Sequence, residues 1–404
     1  MGDATQNFMK DNHGYRGTML FQILGFLVFY ITISPITIYS PSIFQIYAYI
    51  LFIAILFSLK KESVFDSSIR NIRSYVILCF TGAFILPIFI HGELPFVTDI
   101  FQWISLLLII SLKPFYREEI LKIALKWLYI VTLLSIIEYL IGYFTSNVIF
   151  IADIYKNDTS YSQSFFNLYR AGNIHYRFTS LASEPGELGA LCGFVIAFVP
   201  FKREYIKYLI VFSIAGIISL SLAFYIYLLF ILVFRTILGQ LHVKVLILAT
   251  VVLSGAIFMF QDSFEKMILE RVTGRSLEEV DNRTGERVNQ FMSNLFTSPE
   301  SLYGVGNRTA YKLEEGSGQG NAGLKWKLFQ YGILGVGFYF IGMLILYKRL
   351  GNKHVPKIYG ILFFLLYFYS VGWWGVPFFI LLMFTTLPLT DVKKIRPHSI
   401  SKKI

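Results

Sequence analysis

Long, uninterrupted apolar runs recur along this sequence from one end to the other, and they restrict its fold more than any other feature. They fall at approximately 18–36, 42–59, 74–90, 96–112, 121–142, 186–201, 206–219, 221–236, 243–260, 324–347, 357–372 and 375–390. A chain in lipid has no water to satisfy its backbone, so only helices and closed barrels cross a bilayer. The runs are continuous rather than alternating at every second residue, which argues against barrel strands. The expected fold is an all-α polytopic membrane protein with about 12 transmembrane helices, the seventh and eighth short enough for a re-entrant pair. With 55% hydrophobic and 15% charged residues, the chain is too apolar for a soluble protein and too evenly so for a single anchor. No short apolar segment followed by a small-residue cleavage site opens the sequence, so no removable signal peptide is expected.

The basic residues set an orientation. With both termini cytoplasmic, the inside segments hold Lys60, Lys61, Arg70, Arg73, Lys113, Arg117, Lys202, Arg203, Lys348, Arg349 and the tail cluster from Lys393 to Lys403. The short outside turns near 37–41, 91–95, 220 and 373 hold no Lys or Arg. That asymmetry follows the positive-inside rule. The net charge of +11 is therefore read as cytoplasmic anchoring rather than as a nucleic-acid surface. Cys79 and Cys192 both lie in apolar runs, where neither a disulfide nor a metal cluster is expected.

Two outside segments are long, and they divide the chain. Helices occupy 1–142, a first loop 143–185, more helices 186–260, a large loop 261–323, and the last helices with a basic tail 324–404. A loop as long as Gln261 to Gly323 is uncommon unless it is functional or disordered. Within it, Val288, Phe291, Met292 and Leu295 fall on one face at helical spacing, with Arg283, Arg287, Gln290 and Asn294 near the opposite face. Two arginines one turn apart at a membrane surface suit an anionic lipid headgroup; the plain alternative is pairing with Asp281 and Glu286 on a solvated helix. The loop favours arginine over lysine, and guanidinium binds phosphate in a fork that ammonium does not reproduce. Gly304 and Gly306 permit close backbone approach to a ligand, or simply mark a turn.

The first loop ends in His175-Tyr-Arg-Phe-Thr-Ser-Leu-Ala-Ser-Glu-Pro-Gly-Glu-Leu-Gly-Ala190. Pro185 suits a first helical turn, and acids there match the helix dipole, so Glu184 and Glu187 read as helix-start residues. They read equally as carboxylates at the rim of an outward cavity, available as a general base or as partners for Arg177. No acidic pair at metal spacing, P-loop or nucleophile elbow occurs, so neither metal nor cofactor is expected. Charge is nearly missing inside the spans, where Glu138 sits late in the fifth and Asp99 early in the fourth. Any chemistry is therefore placed at the outer face.

Taken together, Arg177-Phe-Thr-Ser-Leu-Ala-Ser-Glu-Pro185, Asn282-Arg-Thr-Gly-Glu-Arg287, Leu302-Tyr-Gly-Val-Gly306 and Asn321 ahead of Tyr331-Gly-Ile-Leu-Gly335 resemble the O-antigen polymerase and ligase superfamily. The resemblance is to the Wzy-type polymerases in particular. It lies in the ordered set of short motifs, the two large loops and the number of spans. Gly318-Gln-Gly-Asn321 lacks the histidine that O-antigen ligases place late in the large loop, which favours a polymerase.

The resemblance implies a GT-C-like, inverting, metal-independent glycosyltransferase in a bacterial inner membrane, acting on undecaprenyl-diphosphate-linked glycans at the periplasmic face. The growing chain would pass to a hydroxyl of the incoming repeat unit, expelling a diphosphate whose developing charge needs cations. Arg177, Arg283 and Arg287 are expected to supply them, with Arg308 secondary. Glu184 is the first candidate base and Glu187 the second, while Gly304, Gly306 and Asn321 are expected around the substrate. Implied partners are the lipid-linked glycan, the bilayer and a chain-length regulator. Two alternatives stand beside it: a ligase transferring glycan to lipid A core, and a lipid-linked oligosaccharide flippase.

Overall fold

A computed structural model describes residues 19–32, 43–59, 64–66, 74, 77, 81–83, 85, 88–94, 97–156, 159–170, 178–182, 185–237, 286–314, 323–370 and 376–387. Helices dominate. In chain order they are α1 (Met19–Thr32), α2 (Ile43–Ser58), α3 (Val97–Ser111) and α4 (Pro114–Thr145). Then come α5 (Pro185–Phe198), α6 (Ile206–Ile218), α7 (Leu222–Ile237), α8 (Glu286–Ser293), α9 (Glu300–Tyr303) and α10 (Asn307–Glu314). The last are α11 (Gly323–Leu350), α12 (Lys357–Ser370) and α13 (Pro377–Phe384). The larger helices occupy the apolar runs read from the sequence; the run at 243–260 lies outside the described residues. Among the described residues two helices, α4 and α11, are long and apolar enough to cross a membrane, and several shorter apolar helices accompany them.

The bundle is built around α5. Its apolar side chains leave no polar stripe, and from Leu188 to Phe198 every residue is buried. A helix apolar all round belongs in an interior. It packs against α6, α7, α12 and α13, largely through aromatic rings. Phe194 meets Tyr227, Tyr367 and Phe379, with ring centroids 6.4, 5.4 and 5.1 Å away. The outer helices have the opposite character. Ile137 and Ile141 on α4, Leu229 and Val233 on α7, and Ile341 and Leu344 on α11 are exposed. Large apolar side chains repeated along outward faces suit contact with lipid rather than water.

The first loop is not all helix. Where the sequence reading expects an all-α chain, β1 (Ala152–Lys156), β2 (Thr159–Gln163) and β3 (Leu168–Arg170) form an antiparallel meander in the order β1-β2-β3. The segment is rich in Tyr, Ser and Thr, which suit a half-buried pleated surface more than a helix. Nothing in the apolar periodicity marks it.

A carboxylate near the end of α4 fixes this sheet to the bundle. Glu138 accepts hydrogen bonds from the Phe165 and Phe166 backbone N–H groups at 3.1 and 2.9 Å. It also accepts from the Ser164 hydroxyl at 3.0 Å and from Asn167 Nδ2 at 2.9 Å. Those donors all belong to the turn between β2 and β3, which the carboxylate therefore organises. The Asn167 carboxamide reaches back to Ser135 O at 2.9 Å. Burial of the Tyr169 phenol, and then the nearby Glu138 charge, hold that phenol above its ordinary pKa. Glu138 thus has a structural duty at the place where a helix leaves the apolar region.

Hydrogen bonds to a charged group contribute about 1.5–3 kcal/mol each, and their orphaned donors add to the loss. Glu138→Ala is expected to lower stability by about 3 kcal/mol. A thermal unfolding scan in detergent checks this, and limited proteolysis should show new cleavage between residues 150 and 170.

Candidate functional site

Of the sequence-predicted residues that the structure describes, Arg287, Gly304, Gly306 and Arg308 lie on segments packed against the first part of α11, while Glu187 lies on α5. Helix α11 is broken at Gly332, whose φ of 66° and ψ of −179° are not helical. An unbroken helix would commit the Phe329 and Gln330 carbonyls to N–H groups four residues further on. Here a strand-like stretch from the large loop takes them. Val305 N–H donates to Phe329 O at 2.8 Å, and Gly306 N–H to Gln330 O at 3.1 Å. Buried backbone groups need such partners.

Two glycines make the approach possible. Gly304, at φ 74°, and Gly332 face each other across the contact. A Cβ on Gly304 would stand 2.5 Å from Gln330 O, and one on Gly332 2.5 Å from Gly304 N. Gly306, at φ 87°, lies beside the Glu93 and His91 side chains. Gly304 thus lets two stretches of this chain's own backbone meet, and Gly306 makes room for the Glu93 and His91 side chains. Gly332 serves the same end as Gly304, although the sequence reading gives it no role.

Above this junction the short helices dock by their apolar faces. Val288 and Phe291 from α8, Ala310 from α10, and Trp326 and Phe329 from α11 form one buried cluster, with Met292, Leu295 and Val305 against it. Phe291 meets Phe329 edge-on at 5.3 Å. With that face turned inward, Arg287 is left exposed on α8. Arg308 is exposed in the first turn of α10. Two guanidinium groups thus ride on helices attached to the same end of α11.

Glu93 caps α10 from far away in the chain. Its Oε2 accepts the Arg308 N–H at 2.7 Å, and its Oε1 accepts the Thr309 N–H at 3.3 Å and the Thr309 hydroxyl at 2.7 Å. The His91 Nε2 lies 3.3 Å from Tyr303 O, at the end of α9. A carboxylate on the first N–H groups of a helix satisfies orphan donors and matches the dipole. Arg308 thereby has its backbone fixed while its side chain stays in the open.

Beneath lies a second polar group. Asp99, early in α3, accepts the Tyr331 hydroxyl on Oδ2 at 2.7 Å, while its Oδ1 stands 3.8 Å from Lys327 Nζ. The Lys327 ammonium also lies 5.4 Å from the centre of the Tyr331 ring. Asp99 was legible as an isolated acid in an apolar run. Lys327 was passed over, because it follows the end assigned to the large loop. The available signal was a pair of bases, Lys325 and Lys327, at the start of one membrane-length run and a lone acid early in another. Glu93 was missed because a short turn with one acid looks like any solvated turn.

Four candidates, Arg177, Glu184, Arg283 and Asn321, lie outside the described residues. Glu187 sits half-buried in the first turn of α5, within electrostatic range of Tyr367 on α12. The arrangement around α11 leaves two guanidinium groups, Arg287 and Arg308, exposed on helices that share one apolar cluster. No protein-family model, curated protein or solved structure matches the chain.

Gly332→Ala places a methyl group against backbone at a left-handed φ. Strain of this kind and overpacking each cost about 1–3 kcal/mol. Hydrogen exchange read by mass spectrometry is expected to show lost protection at Val305 and Gly306, with the α5 core unchanged.

Proposed function

We propose that this chain is a membrane-embedded glycosyltransferase that polymerises undecaprenyl-diphosphate-linked oligosaccharide repeat units into a surface polysaccharide. The observation that carries the reading is the pair of exposed guanidinium groups, Arg287 and Arg308, on helices docked at one end of an apolar bundle. A substrate with its lipid in the bilayer and its glycan outside meets the protein at such a boundary. The motifs containing Arg177, Glu184, Arg283, Arg287 and Asn321, and their resemblance to the Wzy-type polymerases, supply the direction.

In this reading an acceptor hydroxyl attacks the anomeric carbon of the growing chain, inverting it. The new glycosidic C–O bond forms as the C–O bond to the diphosphate breaks, and undecaprenyl diphosphate departs with the electron pair. Glu184 takes the hydroxyl proton, with Glu187 the second candidate. Arg177, Arg283 and Arg287 neutralise the leaving diphosphate, and Arg308 assists. The twelve-span GT-C-like architecture, the inner-membrane location with cytoplasmic termini, and contact with a chain-length regulator belong to the same proposal.

The alternatives are weaker on specific grounds. A ligase would want a histidine where this chain has Gly318-Gln-Gly-Asn321. A flippase needs a polar route between the faces, whereas Asp99 and Lys327 both lie in the opening turns of their helices, at one end.

The test is reconstitution of the purified protein with its lipid-linked repeat unit, with products resolved by gel. A ladder of lengthening chains is expected. Losing a cation that stabilises a leaving group costs about 100-fold or more in rate. Arg287→Ala and Glu184→Ala should each lose elongation on that scale at matched protein levels. Transfer only to added lipid A core would mean a ligase, and leaflet exchange without new bonds would sink the enzyme reading.

A further inference from the structure

Of the ion pairs among the described residues, Lys327–Asp99 is the most enclosed, its two side chains 11% and 9% exposed against 38% for Lys122 in the pairs on α4. A buried pair is poor evidence of a stabilising role, since apolar replacements are often as stable. An ionisable residue within a membrane-length helix more often marks a ligand path. The separation of 3.8 Å exceeds that of a charge-assisted hydrogen bond. The other Asp99 oxygen is held by the Tyr331 hydroxyl at 2.7 Å, so the carboxylate has an anchor besides the ammonium.

Position sharpens this. Lys327 stands four residues into α11, which begins at Gly323, so its Cα lies about 6 Å along the helix axis from that end. Phosphates of a membrane lipid reside at the hydrocarbon boundary, which is the level of the first turns of a spanning helix. Arg287 and Arg308 sit on helices that pack beside this same part of α11, against Trp326 and Phe329.

We infer that Lys327 binds the diphosphate of a lipid-linked ligand, and that Asp99 is the anion that occupies this cation until the ligand arrives. The inference rests on the reading proposed above, because it names the group that meets that substrate's diphosphate. An ammonium serves as a point charge for phosphate, without the geometric demand of a guanidinium fork. Lys327 would hold the diphosphate in the ground state, and the exposed arginines would meet the charge that develops on it during transfer. Asp99 acts here by competition: any phosphate at Lys327 replaces an existing carboxylate.

Equilibrium binding by the full-length protein in detergent micelles tests this, with undecaprenyl diphosphate, undecaprenol and inorganic pyrophosphate as the probes. The wild type should bind the diphosphate lipid at least tenfold more tightly than undecaprenol, and pyrophosphate should compete. Lys327→Gln should lose about tenfold in affinity for the diphosphate lipid and none for undecaprenol, an effect of about 1.4 kcal/mol. Lys327→Arg should retain most of the affinity. Asp99→Asn keeps a partner for Tyr331 and removes the competing charge, so it should bind several-fold more tightly. A structural ion pair predicts the opposite sign. Equal losses in Lys327→Gln and Asp99→Asn would therefore overturn the inference, as would unchanged binding in Lys327→Gln. Pyrophosphate binding as tightly as the lipid would overturn the lipid-borne source. Elongation by a wild type whose Lys327→Gln variant binds normally rejects this inference alone. Lost affinity in Lys327→Gln beside a wild type that elongates nothing rejects the polymerase and leaves this site standing.

Discussion

Two backbone hydrogen bonds, from Val305 and Gly306 to Phe329 and Gln330, hold the outer helices to the bundle. They exist because Gly332 interrupts α11 and leaves carbonyl groups that something must satisfy. In an apolar interior an unpaired carbonyl is costly, so a broken helix persists only where another stretch of chain repairs it. The loop around Gly304 is that repair. From this junction follow the direction in which α9 and α10 leave, the docking of Val288 and Phe291 beside Trp326, and the exposure of Arg287 and Arg308. The apolar cluster adds area but no direction; the backbone pairing sets the register.

Much of the helical framework was legible because apolar continuity is a coarse signal that needs no tertiary context. The inward face of α8 was legible too, since Val288, Phe291, Met292 and Leu295 repeat at the helical period. The β1-β2-β3 meander was not. Its strands are short and mixed in polarity, and they owe their place to Glu138, which binds a turn 26 to 29 residues further along the chain. The break in α11 was hidden for a related reason. Gly332 is one of several glycines in that helix, and only the carbonyls of Phe329 and Gln330 meeting a distant loop distinguish it.

The candidate site divides along the same line. Arg287 was singled out by residue type and helical spacing and Arg308 by residue type alone, and the structure sets both on helices packed against α11. Lys327 and Glu93 act through partners far away in sequence, Asp99 and the start of α10, and pairwise chemistry at that range leaves no local pattern. Gly304 and Gly306 were singled out for closeness to a ligand. The structure shows Gly304 close to this chain's own backbone and Gly306 close to Glu93.

The cap that Glu93 places on α10 spans 215 residues. Chains are made from the N-terminus, so this carboxylate leaves the ribosome long before the helix it will terminate. An eight-residue helix is too short to hold itself together in water, so α10 forms only once the bundle presents Glu93 and the α11 junction to it. The cap on α10 thus depends on contacts that close only after both the Glu93 segment and α11 have been made. A chain whose helices have packed wrongly then offers no template for the surface that carries Arg287 and Arg308.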